Sequence, residues 1–384
     1  MGERKLKAWE AAGLIDGETA ARIRAWEAEH ARPLGLWAVF GLAALAIGLG
    51  ILSVVAANWE EIPGEIRLAI HFALMAAIAA WLWLRGEQAA GRHPWLHEAV
   101  LFVLGMLGMT FMGHVGQVYQ TSSPLWQPLA LWLALFAPLL LLRGSSWLTA
   151  ATIVIALVFT GWNYAINLGE GGGEDFGATI DVIRMALAVN AAVLLAGLGA
   201  WMRSRSAREA FWIRLEQLAL TYGVGLASLV IIVSAFDRLP DDPDAGRIFL
   251  GLAIGALLGA ISAGLVWRAR QDRSGEAEAG VLLGAALSVL LAFVLSDSTT
   301  AAGVLFIALW VGIAAAALHA GWRGVFQIAV GVIAVRLIVL SFELASDLLL
   351  SGVGLIVSGL LILGVAFAAV RVSKRFAPDR EDVA

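Results

Sequence analysis

No cysteine occurs among the 384 residues. That excludes disulfides, thiolate nucleophiles, iron–sulfur clusters and cysteine-ligated zinc. Lysine stands only at Lys5, Lys7 and Lys374, and the net charge is −4 with a pI near 5.9. Without a basic excess to neutralise phosphates, nucleic acid is excluded as a partner. Charged residues make up 15% of the chain, against about 25% in an ordinary soluble domain. Several motifs are missing as well. There is no G-x-x-x-x-G-K-[ST] phosphate loop, no H-E-x-x-H zinc helix and no G-x-S-x-G nucleophile elbow. Nothing in the pattern calls for a metal or a cofactor, and no residue stands out as catalytic. The first 33 residues are polar and charged, so they do not read as a cleavable signal peptide.

What the chain does have is apolar length. Hydrophobic residues reach 60% and the mean hydropathy is +0.83. A core cannot hide that many, so a bilayer must serve as solvent. Windows of about 20 apolar residues fall at 34–57, 68–84, 99–116, 128–142, 148–168, 185–202, 218–236, 248–267, 281–295, 301–319, 325–344 and 348–370. The fold class expected is all-α: a polytopic transmembrane bundle of about twelve spans. The fourth span is short and contains Pro138, and the ninth is short too.

Charge placement tests the count independently, because cytoplasmic loops collect Lys and Arg. With twelve spans and the N-terminus inside, every basic residue except Arg67, Arg184, Arg238, Arg247 and Arg336 falls on the cytoplasmic side. The acidic residues of the long loops, from Glu60 to Asp297, lean outward. Both termini are therefore expected in the cytoplasm, with the inner bacterial membrane as location. Residues 1–33 read as a cytoplasmic amphipathic hairpin, 34–370 as the bundle and 371–384 as a cytoplasmic tail. In the hairpin, helices over 4–12 and 17–30 flank Gly13–Asp16, with Asp16 as N-cap.

Polar residues inside the apolar runs carry the functional expectation. Arg336 lies mid-span, and Glu343 follows two turns later on the same face. Their separation along the axis is roughly 10 Å, so a direct bridge needs long side chains bending together. Asn58, His71, His114, Gln117, Tyr119 and Asp297 gather toward the outer half, while the inner half carries little beyond Tyr222 and His319. Together they suggest an outward-facing polar vestibule on spans 1, 2, 3, 5, 9 and 11, with these eight as substrate-binding candidates. Tryptophans near span ends, Trp132 and Trp162 among them, read as an interfacial belt. The Gly251, Gly255, Gly259 stripe reads as close helix packing.

The segment Ala57-Asn58-Trp59-Glu60-Glu61-Ile62-Pro63, with His114-Val115-Gly116-Gln117-Val118-Tyr119-Gln120 and the stretch from Arg336 through Gly364, resembles a bacterial family of predicted membrane proteins. That family is catalogued as a domain of unknown function, with a short cytoplasmic hairpin ahead of the Asn-Trp motif. The resemblance implies a polytopic membrane protein and supplies no activity or catalytic residue. Three roles stay open. One is a secondary transporter or flippase for a small-molecule or lipid substrate. Another is a scaffold or sensor that docks a protein partner through the hairpin. The third is an intramembrane enzyme, which requires two of His71, His114, Glu343 and Asp297 within about 5 Å.

Overall fold

In lipid a backbone must satisfy its own polar groups, which drives an apolar chain into helices. Every regular element among the described residues is helical. The computed structural model describes Leu6, residues 9–29, 62–171 and 179–344, and scattered positions between 356 and 375. The chain forms two compact units, Met1–Arg67 and Leu68–Ala384.

In the first unit, helix α1 (Gly17–Glu29) is the second arm of the expected hairpin. Asp16 starts it by accepting the Thr19 N–H at 2.7 Å. Its hydrogen bonding to Thr19 holds the Asp16 carboxyl below the usual carboxylate range. The chain reverses just before, at Gly13, where φ is +68°, a conformation strained for any residue with a Cβ. The Trp26 side chain lies outside the described residues.

The bundle comprises α2 (Gly64–Arg92), α3 (Pro94–Val118), α4 (Trp126–Arg143), α5 (Trp147–Gly171), α6 (Thr179–Asn190), α7 (Leu194–Arg203), α8 (Glu209–Val233), α9 (Ala245–Ala269), α10 (Arg273–Val294), α11 (Thr299–Ala320) and α12 (Arg323–Leu344). A 3-10 turn, Ala191–Val193, joins α6 and α7 into one crossing. Ten candidate membrane spans result, and they match the second to eleventh expected ones in order. The first expected span lies outside the described residues, and the twelfth does so apart from scattered positions.

Three helices begin earlier than hydropathy suggests. The ninth expected span is not short: α10 starts at Arg273 and runs 22 residues. Likewise α8 starts at Glu209 and α6 at Thr179. An apolar window stops at the first charges, whereas a capped helix continues through them. At α10 the cap is Asp272, whose Oδ1 accepts the Gly275 N–H at 2.7 Å.

Successive crossings run in opposite directions, with α6 and α7 counted as one, so the loops collect at two ends. Loops 143–147, 203–209, 269–273 and 320–323 share one end with Arg143, Arg203, Arg208, Arg270 and Arg323. We term this the basic end. Loops 118–126, 171–179, 233–245 and 294–299 share the other, the acidic end. Arg208 stitches two basic-end loops by donating to the carbonyls of Gly144 (2.7 Å) and Leu141 (2.5 Å). At the acidic end the Asp297 N–H bonds the Ser234 carbonyl at 2.9 Å.

The apolar interior divides into clusters. One, around Leu101, Leu104, Trp132 and Leu215, ties α2–α5 to the start of α8. Another, around Ile231, Phe306, Leu309 and Phe326, ties α8 and α10 to α11 and α12. Trp132 corrects the belt reading. It is fully buried (0% exposed) and its indole donates to the Gly105 carbonyl at 2.7 Å. Trp83, Trp147 and Trp267 are exposed as a belt requires.

Candidate functional site

The expected span at 185–202 places Asn190 near its outer rim. Because α6 starts at Thr179, Asn190 instead lies about 16 Å along the helix at 1.5 Å per residue, near the middle of the crossing that runs from Thr179 to Arg203. There the helix breaks. Asn190 Nδ2 turns back to the Ala186 carbonyl at 2.9 Å, and the backbone tightens into the 3-10 turn. Ser262 of α9 enters the opened ladder. Its hydroxyl donates to the Val193 carbonyl at 2.9 Å and accepts the Gly197 N–H at 2.8 Å. A continuous α-helix would pair those two groups directly, so the hydroxyl stands in the i to i−4 bond, a recognised cause of helix kinks. Tyr222 of α8 satisfies the Val189 carbonyl at 2.7 Å and accepts the Trp162 indole at 3.1 Å. The break is fully supported by its neighbours.

The neighbours change across the turn. Helix α6 packs on α5 and α9, whereas α7 packs on α8 and α9. Two glycines let α7 wedge between its neighbours. A Cβ on Gly197 would meet Leu265 at 2.9 Å, and one on Gly199 would meet the Trp212 carbonyl at 2.9 Å.

Above the break, α5, α6, α9, α10 and α8 pack on one another in sequence and close into a ring. Inside is a cavity of about 470 Å³, lined by Val182, Asn190, Val193, Gly255 and Leu282 among others. That volume lies within the range of small-molecule sites, roughly 300–1,000 Å³. Its mouth at the acidic end carries Asp181, Asp244 and Arg247, in the pairs Asp181–Arg184 (3.3 Å) and Asp244–Arg247 (2.9 Å). The Gly251, Gly255, Gly259 stripe supplies one wall, with Gly251 against Val182, Gly255 against Asn190 and Gly259 against Ala286. Below, Val193, Ala196, Ala200, Ala219, Ala263, Ala279 and Leu282 pack solidly as a floor. The cavity is a cup with Asp181, Asp244 and Arg247 at its acidic end and Val193 and Leu282 at its other.

Beneath the floor sit the bundle's buried carboxyls. Glu216 (1% exposed) and Glu278 (3%) meet on one guanidinium. Arg270 Nη1 reaches Glu216 Oε1 at 2.7 Å and Glu278 Oε2 at 2.9 Å. Arg203 stands 3.8 Å from Glu216, and Asp272 is 3.2 Å from Arg270. Burial alone would lower the Arg270 pKa, but Glu216, Glu278 and Asp272 outweigh it and hold the guanidinium above its usual value. Also at the basic end, Glu98 accepts from the Ser145 N–H (2.5 Å), the Ser145 and Ser146 hydroxyls (2.7 and 2.6 Å) and Thr149. The expectation of a nearly apolar inner half therefore needs correction. The signal available in the sequence was an acid inside a helix on the side where the other charges are basic.

The residues singled out from sequence fall into separate places. Arg336 (8% exposed) does pair with Glu343, Nη1 to Oε1 at 3.0 Å, with its guanidinium 6.0 Å from the Phe306 ring centre. His71 and His114 meet Nδ1 to Nδ1 at 3.4 Å, and His71 Nε2 lies 3.0 Å from the Leu107 carbonyl. The carbonyl can only accept, so His71 donates to it from Nε2. Gln117 and Tyr119 are exposed at the end of α3, and Asp297 is exposed with φ +66°. Asn58 lies outside the described residues. None of the seven described candidates lines the cup.

Ten candidate spans among the described residues, one interrupted by a 3-10 turn, and buried charges define a multi-pass membrane protein. Residues 7–149 match the model of a family described as Predicted membrane protein (DUF2157), a family of unknown function. The match covers the resemblance read at Asn58-Trp59 and His114–Gln120 and stops before the cup. No curated protein and no solved structure matches this chain.

Proposed function

We propose that the protein is a secondary transporter that takes an uncharged or zwitterionic, largely apolar solute into the cup from the acidic end. The observation that carries this reading is the closed five-helix ring ending on a broken helix at mid-depth. Discontinuous helices at that depth are where transporters hold their substrates. The lining sets the chemistry. Its walls are aliphatic, its mouth charges are paired, and Asn190, having given its Nδ2 to Ala186, keeps an amide oxygen for a hydroxyl or amide donor of the solute. The basic end faces the cytoplasm of a bacterial inner membrane under this reading, following the excess of arginine there.

The enzyme reading has one supporting observation, the 3.4 Å approach of His71 and His114. Bonded to each other, with His71 also on the Leu107 carbonyl, the two imidazoles read as a packing pair.

The test is ligand-dependent stability of the purified protein with a graded set of uncharged apolar alcohols and amides. A solute bound in the cup raises the unfolding midpoint of wild type. In Gly255→Leu, whose side chain fills the space beside Asn190, the shift disappears. The same solute then enters proteoliposomes bearing wild type and not those bearing Gly255→Leu. Equal shifts in both proteins, or binding without entry, contradict the transport reading.

A further inference from the structure

We infer that Glu216 and Glu278 hold one exchangeable proton between them, and that its release toward the basic end loosens the floor of the cup. This rests on the transport reading for its consequence but not for the proton itself.

The argument begins with donors. An ionised carboxylate only accepts hydrogen bonds. The buried donor common to both groups is Arg270 Nη1, which is spent on Glu216 Oε1 and Glu278 Oε2. Among the described residues, Glu216 Oε2 and Glu278 Oε1 are buried with no donor in hydrogen-bond reach. Arg203, at 3.8 Å from Glu216 Oε2, is too far to donate. Both carboxyls bond the same nitrogen of Arg270, so they stand side by side, each with a buried oxygen that no donor reaches. A proton held between them supplies the donor that these oxygens otherwise lack.

The charges facing the pair are named by element. Helix α7 brings Arg203, itself bonded to Glu209 of α8 at 3.0 Å. The turn between α9 and α10 brings Arg270 and Asp272. At the rim of α10, Glu276 bonds His319 of α11 at 3.2 Å and is exposed. With the proton in place, one carboxylate and one acid share the Arg270 guanidinium, and Arg203 is a further ion-pair partner of Glu216 at 3.8 Å. Without it, two buried carboxylates are held side by side on one nitrogen of Arg270, where like charges repel strongly. Admitting water relieves that repulsion.

Position gives the proton its effect. Glu216 is three residues before Ala219, and Glu278 immediately precedes Ala279. Both alanines belong to the floor, packed with Val193 and Leu282, which also line the cup. Arg270 ties α8 to α10 across the mouth of α7, so the cluster holds the floor helices together only while the proton is in place.

Two readouts on the full-length protein in lipid vesicles separate the parts. Infrared difference spectra should show a protonated carboxyl band at neutral pH, removed in Glu278→Gln and in Glu216→Gln. Either variant suffices if the other fails to fold. Absence of the band in wild type overturns the proposal whatever the cup does. The second readout uses the cysteine-free background. A thiol at Ala219→Cys should react with an impermeant reagent from the basic end several-fold faster at pH 9 than at pH 6, after correction for thiolate fraction. Glu278→Gln, which mimics the acid, should remove that rise. A band with pH-independent labelling overturns the gating half and leaves solute binding in the cup to be judged by its own test.

Discussion

The two ends of the bundle handle charge in opposite ways. At the acidic end the ion pairs Asp181–Arg184, Arg238–Asp241 and Asp244–Arg247 are three residues apart on their own segments, and all these side chains but half-buried Asp181 lie exposed. They tie nothing together. At the basic end each buried charge reaches across: Glu98 to the α4–α5 turn, Arg208 to the same turn, and Arg270 to both α8 and α10. The cup opens where charges are local and closes where they are shared between helices. Charge in this protein marks which end of the bundle is fastened.

The comparison can be broken most forcefully at Arg270. Arg270→Gln leaves Glu278 without its cation and Glu216 with only Arg203, 3.8 Å away, and should cost about 3–5 kcal/mol at neutral pH, read as a fall in thermal unfolding midpoint. Arg247→Gln at the acidic end should stay within about 0.5 kcal/mol. Equal losses would erase the distinction. Next in size, Glu98→Gln turns an acceptor of four bonds into a group with an amide facing hydroxyl donors, at a cost of about 1–3 kcal/mol. Ser262→Ala sharpens the account of the break. Gly197 N–H can then reclaim the Val193 carbonyl, so the loss should be about 1 kcal/mol or less, while labelling of a thiol at the floor changes more than stability does.

The smallest effect concerns pH at the α10 cap. Burial alone would raise the Asp272 pKa, but the Gly275 N–H and Arg270 hold it below the ordinary value. A depressed pKa means its contribution is complete above the unfolded value of about 3.9 and is lost as pH falls through the lower folded value. Removing the cap by Asp272→Ala should therefore cost about 1 kcal/mol, constant between pH 5 and 8. A cost that varied across that range would point to another group.

Much of the fold was legible in the sequence because lipid leaves few choices. Ten expected spans recur in order, and the Arg336–Glu343 pair stands on one face of α12 as its spacing requires. The candidate site was not legible, for one physical reason. Hydropathy windows end at charges, so α6, α8 and α10 were read from 185, 218 and 281, and Arg184, Glu216 and Glu278 became loop residues. That shift also moved Asn190 from mid-depth to the rim and hid the break beside it. Trp132 was misread for a related reason, since composition cannot tell an indole at an interface from one bonded to Gly105 in the core.

The most direct test of a cup open at one end uses the native absence of cysteine. A single thiol at Val189→Cys, in the lining, should react with an impermeant reagent applied to the acidic-end side of sealed vesicles at pH 6. It should be silent to reagent on the basic-end side, and Gly255→Leu should block it. Reaction from the basic end, or none from either side while an exposed Asp241→Cys control reacts, would contradict the account.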